Sequence, residues 1–310
     1  MSIQHTIDRM VRTITDPHMR FQIATYFGFH DKLSDEEYIR RRYKSCFGKE
    51  IDLDNPTTLS EKLNWIKLYD RRPEYTMMVD KYEVKKWVSD KIGSEHVVPA
   101  LGVWEHFDDI DFDKLPERFV LKCTHDSGGV ILVRDKSKLD KSKAKKKLES
   151  HLKKNYYLTS REWPYKNVKP RILAEPFIDG LGEEDSVEYK VSCVNGRVGI
   201  ITACTGPAHD ALWLRGNDHY NREWNYKFPF SLYYKPAKVE PQKPKEHMEI
   251  VRICEELSKG IPAVRVDVYV KDGIVYFGEM TFFTWGGFCK FDPIEWDEKL
   301  GKAVELPNKK

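Results

Sequence analysis

From Val264 onward the chain keeps a two-residue rhythm. Val264, Val266, Val268 and Val270 fall on one face of a strand, with Arg265, Asp267 and Tyr269 on the other. A second strand-like run ending near Phe283 follows Lys271-Asp272-Gly273, so the pattern predicts a β-hairpin. An arginine and an aspartate on the polar face, with Glu279 returning opposite, suggest a metal–phosphate site. Its geometry turns on register. A two-residue turn at Asp272-Gly273 pairs Lys271 with Ile274 and points Glu279 away from Asp267. A three-residue loop with Gly273 left-handed pairs Val270 with Ile274, sets Arg265 against Glu279 and places Asp267 diagonally, within reach of one ion. The second register is the expected one.

Elsewhere the pattern predicts helices over residues 1–75, with Thr57 or Ser60 capping the one that carries Leu63, Trp65, Ile66 and Leu68. Further helices are expected over Asp80–Val88, over the basic stretch Lys136–Lys154, and over Glu246–Lys259, where Met248, Ile250, Val251, Ile253 and Leu257 form an apolar stripe closed by Gly260. Strands are expected at His96–Leu101, Phe119–Lys122, Val130–Val133, Arg171–Ile178, Tyr189–Val194 and Val198–Ala203. Thr205–Pro244 is polar, aromatic and proline-punctuated, and reads as a long ordered loop region over a site.

Composition narrows the function classes. With 310 residues, 40% apolar and 33% charged, the chain can bury a sizeable core, as one large or two intimate lobes. A net charge of +3 gives no case for a nucleic-acid binder. The six cysteines show no metal-ligand spacing and are expected to be free thiols in a reducing cytosol. No run has the length of a signal-peptide core or a membrane span, so a cytoplasmic protein is expected. Scattered Ile, Met, Val and Phe over residues 3–27 suit either ordinary packing or an amphipathic surface touching a membrane or partner.

Two further constellations carry chemistry. Lys122 at a strand end, followed by Thr124-His125-Asp126-Ser127-Gly128-Gly129, suits an anion, because the glycines let backbone N–H groups approach it. A plain hairpin turn accounts for the same residues. In Glu175-Pro176-Phe177-Ile178, Pro176 keeps a carbonyl and Ile178 an N–H, the pair that reads a purine edge; an ordinary strand end reads the same. No Gly-x-Ser-x-Gly elbow is present, so covalent hydrolase chemistry has no support.

In order along the chain, Asp80-Lys81, the strand–lysine–glycine loop from Val120 to Gly129, Glu175 to Ile178, and Arg265-x-Asp267 followed by Gly278-Glu279-x-Thr281 resemble the ATP-grasp pattern. The phrases Thr58-Leu59-Ser60-Glu61-Lys62, Lys67-Leu68-Tyr69-Asp70-Arg71, Arg161-Glu162-Trp163-Pro164-Tyr165-Lys166-Asn167 and Gly278-Glu279-Met280-Thr281-Phe282 resemble the TupA-like ATP-grasp group found with bacterial surface-polysaccharide genes, and the likeness runs from about residue 35 to 303.

The resemblance implies an α+β fold of two lobes clamping ATP behind a helical N-terminal segment, divided at about 1–75, 76–178 and 179–310. It implies that Lys81 and Lys122 contact phosphates and that Asp126, Ser127, Gly128 and Gly129 form the phosphate loop. Glu175, Pro176, Phe177 and Ile178 would hold adenine and Glu188 would lie near the ribose. Asp267, Glu279 and Thr281 would carry Mg2+, with Lys190 and Arg265 as catalytic cations. The implied reaction joins a carboxylate, such as a uronic acid of a glycan, to an amine or amino acid through an acyl-phosphate. Two departures stand out: Thr281 occupies a position where many relatives have asparagine, and no βαβ unit precedes Lys81. The acceptor would then be held by Tyr157–Lys166, Thr205–Trp213, His219–Trp224 or Thr284–Phe288, with Trp213 and Trp285 suited to stacking on a sugar. A glycosyltransferase using Asp109-Ile110-Asp111 and an ATP-grasp kinase are the alternatives.

Overall fold

The alternation around Val264 becomes the centre of a five-stranded antiparallel sheet. In the computed structural model, which describes residues 15–180, 186–206 and 215–309, the sheet has the order β10-β9-β5-β6-β7. Its strands are β5 (Val187–Val194), β6 (Arg197–Thr205), β7 (Gly216–Tyr220), β9 (Ala263–Lys271) and β10 (Ile274–Thr281). Val191, Ile201, Ala203, Val264, Val266 and Val268 lie in one core with Ile250, Val251, Ile253, Cys254 and Leu257 of helix α8 (His247–Ser258). Burying each such aliphatic side chain contributes roughly 1.5–3 kcal/mol, so this helix locks one face of the sheet and leaves the polar face open.

The expected hairpin register is not the one found. Asp272 and Gly273 both have positive φ, 52° and 78°, as a tight two-residue turn requires, and Lys271 pairs with Ile274. Pairing stays in step to Val268–Phe277, then Gly278 is extra, and Glu279 pairs with Asp267, Met280 with Val266 and Thr281 with Arg265. The bulge restores the parity that the short turn had lost. Glu279 therefore lies directly opposite Asp267, while Arg265 faces Thr281. A Cβ at Gly278 would come within 2.9 Å of the Asp267 carbonyl oxygen, so the bulge is built for glycine.

A second antiparallel sheet has four strands in the order β1-β4-β2-β3. They are β1 (Gly102–Trp104), β2 (Phe119–Cys123), β3 (Val130–Val133) and β4 (Ile172–Pro176), with helix α6 (Lys141–Leu152) packed against them. Phe107, Phe119, Leu121, Leu148, Ile172 and Ala174 give this lobe its own core. The expected strand at His96–Leu101 is absent: Ser94–His96 is a short 3-10 turn and the strand starts at Gly102. Pro99 interrupts that run, having no N–H for a ladder. The expected helix from Asp80 starts instead at Val84 (α5, Val84–Ile92), because the Asp80 carboxylate accepts from the N–H groups of Tyr82 and Glu83 at 2.8 and 3.2 Å. Likewise α6 begins only after its cap, Asp140. The stretch expected as loop contributes β7 and a two-residue strand, β8 (Ser231–Leu232), paired with β11 (Phe291–Asp292).

The N-terminal region is helical, as expected, in α1 (Pro17–Tyr26), α2 (Asp35–Phe47), α3 (Leu59–Tyr69) and α4 (Glu74–Val79). Neither expected cap serves α3. Thr58 caps it, in a reciprocal box with Glu61, while Ser60 is buried against the Asp297 carboxylate of α9 (Glu295–Gly301). These helices join the larger core through Tyr38, Ile39, Tyr43, Leu63 and Ile66. Tyr26, Phe27 and Phe29 stay exposed. Among the described residues no helix is long and apolar enough to cross a membrane. All six cysteines are free, and the five outside the N-terminal helices are buried.

Candidate active site

Alternation dictates what the open face of the large sheet presents. Register places Lys190 beside Asp267 and Ser192 beside Arg265, with Thr202 and His219 across the next strands. Asp267 is 1% exposed and is held from both sides. The Arg265 guanidinium forks onto its two oxygens at 2.6 and 2.8 Å, and Lys190 Nζ donates to Oδ2 at 2.6 Å. Burial by itself would raise this carboxyl, but Arg265 and Lys190 outweigh it and hold it below the ordinary carboxylate range. Burial would in turn lower Lys190, yet Asp267 and Glu188 hold it well above the usual ammonium range. The result is an ionised charge cluster centred on a buried carboxylate, with its cations partly exposed.

Glu279 behaves differently. Its side chain is 39% exposed and stands 3.7 Å from both Arg265 and Lys81. Thr281 Oγ1 accepts from Arg265 Nη2 at 3.0 Å, so in this structure its hydroxyl is engaged with the arginine. Asp267 and Glu279, side by side on one sheet face, are hard oxygen ligands that fit a magnesium ion. Among the described residues no cluster of three or more His, Cys, Asp and Glu gathers, and magnesium characteristically completes its shell with phosphate oxygens and water.

A cleft of about 930 Å³ lies over this face. Lys81, Asp126, Ser127, Lys190, Arg265, Glu279 and Thr281 all line it. Lys81 reaches it from the turn before α5, where its Nζ donates to the Asp126 carbonyl at 2.7 Å. The loop joining β2 to β3 exposes Ser127 and Gly128, and Gly128 has φ 98°. Gly129 is packed so that a Cβ would meet Asp126 Oδ1 at 2.9 Å. The Asp126 side chain turns inward to His151, which leaves its carbonyl to steady Lys81. His125 is buried, its Nε2 bonded to the carbonyls of His151 and Lys154 at 3.2 Å, and serves the loop's frame.

Lys122 and the Glu175 segment form a second group. Glu175 sits between Lys122 and Lys85, each at 2.5 Å. Burial works to raise the Glu175 carboxyl and the two lysines pull it below the ordinary range. Phe177 lies under the Arg118 guanidinium at 4.5 Å, and Pro176 ends β4 with Ile178 just beyond it. Glu188 pairs with Lys190 at 3.0 Å and with Arg215. It is registered against Tyr269, whose hydroxyl is raised by burial and by the nearby Glu175. Tyr269 and Arg265, four residues apart on β9, are separated by roughly 13 Å at two residues per ~6.7 Å, with Glu175 nearer the Tyr269 end.

Several participants are not evident in the sequence. Arg215 lines the cleft from just before β7, in a stretch expected as loop, Lys85 shares Glu175, and Tyr38 and Arg42 reach the cleft from the N-terminal helices. Only Arg215 had a local signal, because Arg215, Asn217 and His219 alternate with period two. Of the acceptor candidates, Glu162, Tyr165, His219 and Trp285 line the cleft. Trp224 instead stacks on Tyr220 at 4.1 Å and packs against the core. Trp285 has φ 55°, is 39% exposed and packs on Tyr233 at 4.0 Å. Trp213 and residues 207–214 lie outside the described residues. Asp109 and Asp111 stand in the β1–β2 connection, do not line the cleft, and flank an Ile110 that is buried in the small core.

Two antiparallel α+β lobes with a lysine-and-glycine loop on one and a carboxylate-bearing sheet face on the other define an ATP-grasp protein. The chain belongs to the TupA-like ATPgrasp family, whose model matches residues 61–305. The α+β, ATP-grasp expectation is thereby met, and ATP-grasp proteins use ATP and Mg2+. No protein of curated function is significantly similar in sequence. Solved structures with local likeness include D-alanine–D-alanine ligase from Bacillus anthracis complexed with ATP, at 20% identity and TM-score 0.37, covering 72% of this chain and 57% of that one. The D-alanine–D-alanine ligase from Helicobacter pylori gives 15% identity, TM-score 0.43, and coverage of 79% and 69%. A RimK domain ATP-grasp protein from Sphaerobacter thermophilus gives 12%, 0.38, and 76% and 70%. The chain thus spans little more than half of the first of these, and likeness at this level assigns it no substrate.

Proposed function

We propose that the protein is an ATP- and Mg2+-dependent carboxylate–amine ligase that makes an amide through an acyl-phosphate. The carrying observation is the ionised row Lys190–Asp267–Arg265 with Glu279 opposite, facing Lys81 across the cleft. Phosphoryl transfer asks mainly for positioning and charge neutralisation, and these groups supply both without a covalent nucleophile. A bound magnesium, held by Asp267 and Glu279, would neutralise charge on the phosphates. Thr281 orients Arg265 in the structure and would be a neutral third ligand if the arginine released it. Lys81 and the Ser127–Gly129 backbone would hold phosphates. Lys122 would add a further contact, and Glu175 to Ile178 with Glu188 would take the adenosine. Arg265 would stabilise charge on the transferred phosphoryl group and Lys190 would reach the phosphates beside it.

The resemblance to a group found with bacterial surface-polysaccharide genes supports a uronic-acid-type carboxylate as one substrate and an amino acid or amine as the other, and dependence on ATP suits a cytoplasmic site of action. The test is product analysis. ADP and phosphate should appear only when both a carboxylate and an amine are supplied. AMP with pyrophosphate would overturn the acyl-phosphate, and a stable phosphorylated product without any amine would identify a kinase. Thermal stabilisation by a sugar nucleotide, with none from ATP and Mg2+, would favour a glycosyltransferase.

A further inference from the structure

Arg42 of α2 is 9% exposed, lines the cleft, and has no ion-pair partner among the described residues. Its Nη1 donates to the Thr159 carbonyl at 2.9 Å and its Nε is buried with no partner at all. The Phe288 ring, 4.4 Å from the guanidinium carbon, closes one side. A buried cation in this state is costly unless a ligand completes it.

Glu162 complements it. It is 4% exposed and lines the same cleft, yet it too lacks an ion-pair partner among the described residues. Ser160 Oγ donates to its Oε1 at 2.6 Å, and no hydrogen bond among the described residues reaches Oε2. Burial raises its carboxyl above the ordinary range, even with Lys67, Arg42 and Arg265 pulling it down. Gly286 packs between Arg42 and Ser160, the residue that hydrogen-bonds Glu162: a Cβ there would stand 2.8 Å from Ser160 Cβ and 3.5 Å from Arg42 Nη1. The chain reaches Glu162 through Arg161, held left-handed at φ 57° and anchored on the carbonyls of His30, Asp31 and Leu33. Strain of this kind persists where the surroundings impose it, and here it aims Glu162.

We propose that Arg42 and Glu162 form the subsite for a free amino acid, the guanidinium taking its carboxylate and the glutamate its ammonium. The planar fork of arginine suits a carboxylate, and each buried charge gains the partner it lacks. Only the role of that amino acid, as the amine substrate, rests on the ligase reading.

Binding is measured by calorimetry on the wild-type protein with glycine, alanine, glutamate and lysine, then with alaninamide and N-acetylalanine (or the same derivatives of whichever amino acid binds). The amino acid should bind roughly tenfold or more tightly than either derivative, since each removes one charged pair. Arg42→Gln should erase the preference over the amide, and Arg42→Lys should restore part of it. If no amino acid binds, or the amide or the acetyl derivative binds equally well, the proposal is overturned. The comparison of derivatives decides even if Arg42→Gln does not fold. Amino-acid binding without ADP release on adding carboxylates would refute the ligase reading and leave the subsite standing.

Discussion

Asp267 and Glu279 are proposed to share one ion, yet their substitutions should behave very differently. Asp267 is 1% exposed and has both oxygens engaged by Arg265 and Lys190. Asp267→Asn removes the buried acid shared by the half-buried Arg265 and Lys190, which keep only Glu279 at 3.7 Å and Glu188 at 3.0 Å, a change that costs about 3–5 kcal/mol. At roughly 2–4 °C per kcal/mol for a chain of this size, the melting temperature should fall by about 10 °C. Glu279, 39% exposed and 3.7 Å from its cations, is a surface-type pair whose loss costs about 0–1 kcal/mol. Glu279→Gln should therefore melt within a few degrees of wild type, yet bind Mg2+ more weakly and release little ADP. Differential scanning fluorimetry with and without ATP and Mg2+, beside an ADP assay titrated with Mg2+, reads both effects. Equal melting of the two variants would refute the account of Asp267 as the pinned centre of the site. Wild-type Mg2+ dependence in Glu279→Gln would refute its metal role.

Gly278→Ala places a Cβ within 2.9 Å of the Asp267 carbonyl oxygen and should cost about 1–3 kcal/mol, with a matching loss of Mg2+ affinity; wild-type values for both would show that the bulge tolerates a side chain. Asp297 is 3% exposed and burial raises its carboxyl from 3.8 to about 6. With the folded value above the unfolded one, its favourable contribution is complete below about pH 4 and is lost as pH rises through about 6, in total about 3 kcal/mol. Wild-type stability should accordingly drop more between pH 5 and 8 than that of Asp297→Asn, whose amide oxygen can still accept from Ser60; parallel melting curves would contradict this. Lys122→Met leaves Glu175 with Lys85 alone and should weaken ATP binding while changing the melting temperature of the nucleotide-free protein by only a few degrees, which calorimetry with ATP checks.

Much of this protein follows from its sequence. The alternation of Val264, Val266 and Val268 with Arg265 and Asp267 identified the polar face of β9, because a strand's side chains can only alternate. The stripe of α8 was equally local. What the sequence left undetermined depended on partners far away in the chain. Whether Glu279 met Asp267 or missed it hung on a single extra residue, and the sequence pattern did not show whether the turn or Gly278 supplied it. Packing decided: Asp272 and Gly273 close the tight turn, and only a residue without a Cβ fits against the Asp267 carbonyl. The pairing of Glu175 with Lys85, of Glu188 with Arg215, and the approach of Arg42 and Ser160 to Gly286 join segments that share no periodicity. Such contacts come from how the N-terminal helices and two sheets bury their apolar faces. The sequence determined which charges this site contains; the tertiary structure decided which are neutralised inside the protein and which are left for a ligand.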